Sequence, residues 1–212
     1  MGDASLEARV QQLEDKLEIM NLQAKYNFYL QMYWGKRGVE ELFAKKTEVC
    51  TEINGGRWKG YEGVLRMFSQ LDEVHVTQPG RMGIMMAIQP FITIADDGLS
   101  ANGQWNCMGP CVLPVKFSPE DEEHLESIWQ FGRYDNDYVK EDGQWLFKRL
   151  CFSLHFLSPI DKGGWYECSL PHYIRPFEAE SGSQPDVPPT WPDLYRPEVP
   201  NTYGPQAPFQ KD

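Results

Sequence analysis

The feature of this sequence that most constrains its fold is a change in the spacing of apolar residues at about residue 80. Before it, apolar residues recur every three or four positions, which predicts helices over residues 5–34, about 39–43 and about 62–71. After it, apolar and polar residues alternate, which predicts strands over residues 84–94, 99–108, 125–139 and 145–157. Helices followed by consecutive hairpins predict an α+β fold, a conical barrel whose N-terminal helices pack in a curved antiparallel sheet.

Two Asp-Gly pairs predict the tight turns of this sheet. Asp97-Gly98 follows the first predicted strand, and Asp142-Gly143 precedes the last one. Pro90 lies inside the first predicted strand. Because proline cannot donate a hydrogen bond to a neighbouring strand, we expect that strand to lie at an edge or to carry a bulge.

The first predicted helix carries two apolar stripes. One is a narrow seam with alternating spacings of four and three, formed by Leu6, Val10, Leu13, Leu17, Met20 and Ala24. The other is broader and contains Ile19, Leu22, Tyr26, Tyr29, Leu30 and Tyr33. The broader stripe is expected to face the core, and the seam favours packing against a partner chain.

The composition changes from Pro159 onward. Eleven of the 16 prolines lie in this last part, where apolar periodicity is lost but aromatic residues persist. Disordered tails are normally poor in rings, so we expect an extended arm that lies along a protein surface. We therefore divide the chain into a domain over residues 1–166 and an arm over residues 167–212. Together, the seam and the arm predict a homodimer or homotrimer in which the arm crosses to a neighbour.

The charge and the absence of targeting signals exclude several classes of partner. The formal net charge of −11 opposes binding to nucleic acid and to anionic membrane surfaces. No segment approaches the roughly 20 apolar residues that cross a bilayer, and the N-terminus does not read as a secretory signal. Five cysteines, an odd number, favour reduced thiols. These features predict a cytoplasmic protein.

Four stretches together resemble the SnoaL-like branch of the nuclear-transport-factor-2-like superfamily. They are KYNFYLQMYWGKRGVEELFA, WKGYEGVLRMF, QPFITIADDGLSANGQW and GRYDNDYVKEDGQWLFKRL, the last followed by Gly164-Trp165. Their order and spacing carry the resemblance, which covers residues 5–166. It implies the conical helix-and-sheet fold that the periodicity predicts independently.

The resemblance also implies a type of active site. Enzymes of this family include dehydratases, isomerases, polyketide cyclases and lyases of aromatic compounds, and they typically need no cofactor. They use a tyrosine on the first helix, often an aspartate a few residues later, and one or two histidines on a strand. Tyr26 falls at the tyrosine and Gln31 near the aspartate, whereas Met85 and Ile88 stand where the histidines usually occur. The acid/base set of the dehydratases is therefore mostly absent.

The candidate catalytic residues are Tyr26, Tyr33 and His155. His155 lies near the end of the last strand, where the pocket of the family opens, and imidazole exchanges a proton near neutral pH. Candidate substrate-binding residues are Tyr29, Gln31, Trp34, His75, Gln104, Trp105, Tyr134 and Lys148. The tyrosines equally suit core positions. Alternation places Gln104 and Trp105 on opposite faces, and Lys148 on the same face as Leu150.

Three functions remain open. The leading hypothesis is a lyase or isomerase without metal or organic cofactor that acts on a small aromatic substrate. Ionisation of a phenolic substrate expels a benzylic leaving group, so a strong protein base is not required. The resemblance extends to lyases that cleave lignin-derived diarylpropanes with loss of water and formaldehyde. The alternatives are a non-catalytic binding or assembly module, and a dehydratase or isomerase of a polycyclic substrate, which Met85 and Ile88 disfavour.

Overall fold

A computed structural model describes residues 5–53, 56–77, 79–115, 122, 124–161 and 186. Three helices are formed, and they are α1 (Leu6–Gln31), α2 (Gly35–Leu42) and α3 (Gly60–Thr77). The described strands are β1 (Cys50–Ile53), β2 (Gly56–Lys59), β3 (Met82–Gly83), β4 (Met86–Ile94), β5 (Ser100–Val115), β6 (His124–Glu141) and β7 (Gln144–Pro159).

The strands form one sheet that curls into a half-barrel around α1. Its order is β2-β1-β7-β6-β5-β3, and β4 also pairs with β5. The long hairpins β4–β5, β5–β6 and β6–β7 are antiparallel, as the alternating sequence predicts. The predicted α+β architecture is confirmed.

The irregularities expected from glycine and proline are present. Asp142 and Gly143 both have positive φ angles, 51° and 79°, which suit the two-residue turn between β6 and β7. The pairing of β4 with β5 shifts between Ile88 and Phe91, so Pro90 lies in a bulge. Gln89, inside the same bulge, takes a φ of 55°.

The sequence analysis missed a short hairpin. Strands β1 and β2 pair with each other, and β1 runs parallel to β7, so the expectation of a wholly antiparallel sheet was wrong. Each of these strands has four residues. That length is too short for an alternating pattern to stand out, although Thr51 and Trp58 are buried as a sheet requires.

Helix α1 is fixed at its start and along its inner face. The Ser5 hydroxyl accepts a hydrogen bond from the Ala8 amide at 3.2 Å and caps the helix. Asp15 is buried and accepts hydrogen bonds from the Lys140 ammonium at 2.5 Å and the Trp145 indole at 2.9 Å. These contacts anchor the middle of α1 to the β6–β7 hairpin.

The tail is described at one residue. The Asp186 amide donates to the Arg57 carbonyl at 2.8 Å, and its carboxylate accepts from the Lys59 amide at 2.9 Å. The tail therefore contacts the β2 edge of the sheet at this point. The rest of the predicted arm, residues 167–212, lies outside the described residues. No helix in the described part is long and apolar enough to span a membrane.

Candidate functional site

The concave side of the sheet is lined with aromatic rings that surround Tyr26. The Tyr26 ring packs edge-on against Phe68, Tyr134 and Phe147, with centroid distances of 6.1, 6.0 and 5.5 Å. Trp105 packs edge-on against Tyr138 at 6.0 Å, farther along the same face. Tyr26, Trp105 and Tyr134 are therefore all buried in the interior, which settles for Trp105 the choice that alternation left open between it and Gln104.

A line of protonated groups runs through this interior. The Tyr26 and Tyr134 rings meet edge to face with centroids 6.0 Å apart, and Cys107 is buried in the same core. Burial raises the pKa of both tyrosines well above the ordinary value, and it raises the pKa of Cys107 to about 12. All three groups therefore keep their protons near neutral pH and act as hydrogen-bond donors, not as bases.

A second polar group ties α1 to β6. The Gln23 amide donates to the Asn27 side-chain oxygen at 2.8 Å, and Asn27 donates to the Met85 carbonyl at 2.7 Å. Asn136 donates to the Gln23 oxygen at 2.8 Å and accepts from the Cys151 backbone amide at 2.9 Å. These buried amides are satisfied by one another, so they fix the rotation of α1 over the sheet.

Tyr33 follows α1 in a strained conformation. Its φ of 54° lies in the left-handed region, where helix ends usually carry glycine, and the Trp34 amide returns to the Tyr29 carbonyl at 2.9 Å. A tyrosine there costs about 1 kcal/mol. Its hydroxyl donates to the Arg81 carbonyl at 3.0 Å. Strain of this kind is common at functional sites, and it keeps Tyr33 among the candidates.

The interior beside Tyr26 is filled by side chains. Within the described residues, the small gap between α1, α2 and Phe68 has no room for a water molecule. An open cleft of about 480 Å³ lies instead at the junction of the three helices. It is lined by Tyr33, Trp34, Lys36, Arg37, Glu40 and Asp72. Among the described side chains, the predicted site residues that line it are Tyr33 and Trp34.

Trp34 lies outside the concave interior, so its expected role as part of the wall was wrong, whereas half-buried Tyr29 packs against the edge of the core and lines the gap beside Tyr26. The Tyr29 hydroxyl donates to Glu41 at 2.7 Å, across the exposed junction of α1 and α2. The Arg37 guanidinium lies 5.2 Å from the ring centres of both Tyr29 and Trp34. The rings are held by cation–π contacts on the surface because α2 begins immediately after Trp34 and turns back over Tyr29.

Gln104 and Trp105 occupy opposite faces, as alternation predicts, and only Trp105 points inward. Gln104 donates to Asp135 at 2.6 Å on the outer face of the sheet. Asp135 is buried there, and burial raises its pKa although Asn102, Arg149 and Gln104 favour the ionised form. The sequence analysis missed this outer cluster. The alternation of Tyr134, Asp135, Asn136 and Asp137 on β6 was the available signal.

His155 was expected at the mouth of the interior, and this location was wrong. The β6–β7 pairing shifts at this point, so that Phe131 faces Phe156 and Gly132 faces Leu154, which leaves His155 in a bulge. Its ring packs 5.9 Å from Phe131, on the face opposite Tyr134. Burial and the nearby Arg133 charge lower the pKa of His155 to about 4. The imidazole is therefore neutral near pH 7.

Lys148 also lies away from the interior. A second register shift, between Asp137 and Tyr138, places both Phe147 and Leu150 inward and leaves Lys148 exposed. The expected shared face with Leu150 was wrong because the bulge breaks the alternation of two. Strand position alone could not have revealed this bulge.

The remaining candidates are less defined. Gln31 is half-buried at the last position of α1. His75 falls within α3, and its side chain lies outside the described part of the chain. Among the described residues, His, Cys, Asp and Glu side chains form no group of three that could hold a metal ion. Independence from cofactors stays a prediction.

Comparisons with known proteins identify one matching family model and several solved structures of similar fold. The family model for the SnoaL-like domain matches residues 11–150, whereas no curated protein matches the chain. A hexachlorocyclohexane dehydrochlorinase, LinA type 2, is 19% identical with a TM-score of 0.54, over 73% of this chain and 94% of that one. LinA type 3 from Novosphingobium barchaimii LL02 is 16% identical, with a TM-score of 0.55 over 73% and 95%.

A protein of unknown function from Mycobacterium tuberculosis has a TM-score of 0.60. It is 14% identical, over 87% of this chain and 98% of that one. At these identities the likeness to solved structures concerns the fold alone.

Proposed function

The chain belongs to the SnoaL-like domain family, and on that premise we propose that it is a cofactor-independent lyase acting on a small phenolic aromatic compound. The observation that carries the proposal is the buried pair of Tyr26 and Tyr134, whose rings pack edge to face inside a ring-lined interior. Two tyrosine side chains that keep their protons have two uses in catalysis. Each is able to donate a proton to a leaving group or a hydrogen bond to an oxyanion as it forms.

The absence of a base at the family's histidine positions fits a substrate that supplies its own electrons. The para-hydroxyl group of the substrate loses its proton to water, which gives a phenolate. The phenolate electron pair moves through the ring and expels a benzylic hydroxyl, which leaves as water after it takes a proton from Tyr26 or Tyr134. The product of this step is a quinone methide. This role requires a neutral donor, as both tyrosines are.

A diarylpropane diol from lignin extends the same sequence by one step. The terminal hydroxymethyl group loses its O–H proton, and the carbon–carbon bond beside it breaks to release formaldehyde. The bonding pair moves into the quinone methide and restores the aromatic ring as a phenolate, which is protonated to give a stilbene. The overall change is the diol to stilbene, water and formaldehyde, with no oxidant or reductant.

Two further observations support the proposal. Aromatic side chains surround Tyr26 on several sides, which favours a ring-bearing substrate over an aliphatic one. Two of the similar structures are named as dehydrochlorinases, enzymes that carry out an elimination. The proposed loss of water from the substrate is also an elimination. Because the described interior is filled, binding requires the side chains around Tyr26 to move.

The test is conversion of a diarylpropane diol, with stilbene absorbance and formaldehyde release measured together. We expect turnover of the free phenol and none of its methyl ether, which cannot ionise. Tyr26→Phe and Tyr134→Phe should each lower turnover about 10²-fold, the usual scale for acid–base groups. Tyr61→Phe, on α3 and half-buried, is the matched control. No conversion of the phenol, or full activity of both interior variants, overturns the proposal.

A second candidate is a non-catalytic module of the same family. The filled interior beside Tyr26 favours it, as does the exposure of Ile88 on β4, at one of the two histidine positions. Titration with phenolic ligands, followed by calorimetry and tyrosine fluorescence, separates the two functions. A lyase should bind the phenol in its interior, and Tyr26→Phe should weaken that binding. If the chain is a module without a ligand site, neither the wild type nor Tyr26→Phe should show saturable binding of the phenol.

A further inference from the structure

The outer face of α1 exposes a continuous apolar seam. Its described members are exposed to between 40% and 73% of their surface, and they are Leu6, Val10, Leu13, Leu17 and Met20. Residues 5–14 are exposed on every side of the helix, so its first turns project from the domain. Large apolar side chains that the described part of the domain leaves exposed along one helix are unusual in a monomer and indicate an interaction site.

The spacing along the seam identifies the kind of partner. Alternating steps of four and three place Leu6, Leu13 and Met20 at the d positions of a heptad and Val10 and Leu17 at the a positions. The side chains that face the sheet, such as Asp15, Ile19 and Leu22, occupy c and f positions on the opposite side. The a/d seam of the helix is therefore exposed and available to another helix, while the opposite face packs against the sheet of its own domain.

The flanking charges identify the partner as α1 of a second copy of the chain, with the two helices parallel. Arg9 and Lys16 occupy g positions, whereas Glu7 and Glu14 occupy e positions. In a parallel pair, each g residue lies beside the e residue five positions later in the other chain. Arg9 of each chain therefore lies beside the partner subunit's Glu14, which gives two equivalent ion pairs. In an antiparallel pair, g faces g and e faces e, which places like charges together.

We propose that α1 of one chain pairs with α1 of a second copy as a parallel two-stranded coiled coil over residues 6–20. Val10 at an a position with leucine at d positions favours two strands over three. The described residue of the tail, Asp186, contacts β2 and not α1. The two domains then lie on opposite sides of the paired helices. This pairing does not depend on the proposed activity.

The first test is the molecular mass of the full chain by sedimentation velocity between about 1 and 100 µM. We expect a dimer for the wild type. Leu13→Glu and Leu17→Glu should each raise the dissociation constant about 100-fold or more, since each places two charges in the seam. Gln12→Glu, an exposed c position on the same turn, should leave it unchanged. Circular dichroism checks that each variant is folded.

The second test separates orientation from a general apolar effect. Arg9→Glu and Glu14→Arg should each weaken the dimer about 10-fold, because each places like charges at the g and e positions. The two single variants mixed together, and the double variant alone, should regain wild-type affinity. Leu6→Cys should form an interchain disulfide under mild oxidation only if the helices are parallel and in register, with the wild type as the control for native thiols.

Several results overturn the proposal. A monomer at 100 µM, or a trimer, contradicts the two-stranded pairing. A dimer that Leu13→Glu and Leu17→Glu leave intact places the interface elsewhere. If the seam variants dissociate the dimer but Leu6→Cys does not cross-link and the charge exchange fails to rescue, the parallel register is wrong. If the wild type is monomeric and removal of residues 167–212 produces a dimer, the arm covers the seam instead.

Discussion

Asp72 on α3 caps α2 at Gly35. The Gly35 amide donates to one carboxylate oxygen at 2.7 Å, and the Lys36 amide donates to the other at 2.8 Å. Trp34, at the position where a helix carries its own cap, makes no side-chain cap bond. A Cβ at residue 35 would lie 2.8 Å from the same carboxylate, so the close approach depends on glycine.

We expect Asp72→Ala to lower the free energy of unfolding by about 1–2 kcal/mol, the usual effect of removing an N-terminal cap. Asp72→Asn should lower it less, because the asparagine side chain still caps an amide. Urea denaturation followed by circular dichroism measures both changes. An alanine variant as stable as the wild type would show that hydrogen bonds from the Gly35 and Lys36 amides to water replace those to Asp72.

The anchor of α1 at Asp15 should make stability depend on acid. Burial alone raises the pKa of Asp15, but hydrogen bonds from Lys140, Trp145 and Gln11 outweigh it and leave the pKa below the ordinary 3.8. The folded state therefore binds the proton less readily than the unfolded chain. This contribution is complete above the unfolded pKa and is lost as pH falls through the folded value.

Asp15→Asn tests this linkage. At pH 7 the variant should lose about 2 kcal/mol of stability, because the hydrogen bonds to a charged acceptor become weaker. The difference from the wild type should shrink as pH falls below 4. The measurement is urea denaturation at intervals between pH 2 and pH 7. A difference that stays constant over this range would contradict the role of the charge.

His155 should also make stability decline as pH falls, but in a higher pH range than Asp15. Its pKa of about 4 lies below the ordinary 6.5, because burial and Arg133 disfavour the charged imidazole. Between pH 6.5 and pH 4 the unfolded chain takes up a proton that the folded chain does not. Stability should therefore decline by about 2 kcal/mol as pH falls through this window. NMR titration of the imidazole gives the pKa, and His155→Asn should remove this part of the decline.

The buried amides predict a large effect from one substitution. Asn136→Leu removes the shorter of the two hydrogen bonds to the Gln23 oxygen and leaves the Cys151 amide without its described partner, and we expect a loss of about 3 kcal/mol. The control is Asn106→Leu on the outer face, whose amide bonds to exposed Gln89 at 2.6 Å. That variant should lose under about 1 kcal/mol. Equal losses from the two substitutions would count against the buried network.

Periodicity was sufficient to predict the long elements of the fold. The spacing of apolar residues located α1 and the four long strands, and Asp142-Gly143 located a turn. It could not reveal the four-residue strands β1 and β2 or the parallel pairing of β1 with β7. Those features depend on contacts between distant parts of the chain, which leave little trace in a local pattern.

The candidate site was predicted less completely, and the reason is also physical. Tyr26, Trp105 and Tyr134 lie in the interior because they occupy regular positions on a helix and two strands. Lys148 and His155 both lie at register shifts in the β6–β7 hairpin. Each bulge inserts one residue into the strand, so the side chains after it point to the opposite face from the one that simple alternation predicts.

The hydrogen bond between Gln23 and Asn136 joins residues that are 113 positions apart. During translation, Gln23 leaves the ribosome long before its partner is synthesised. The first helix of the chain therefore cannot settle into its final rotation until most of β6 has been made. Its core-facing side, including Ile19 and Tyr26, stays open to solvent for that interval. The nascent chain is thus most vulnerable to aggregation early in synthesis, when a chaperone that binds apolar helices has most to contribute.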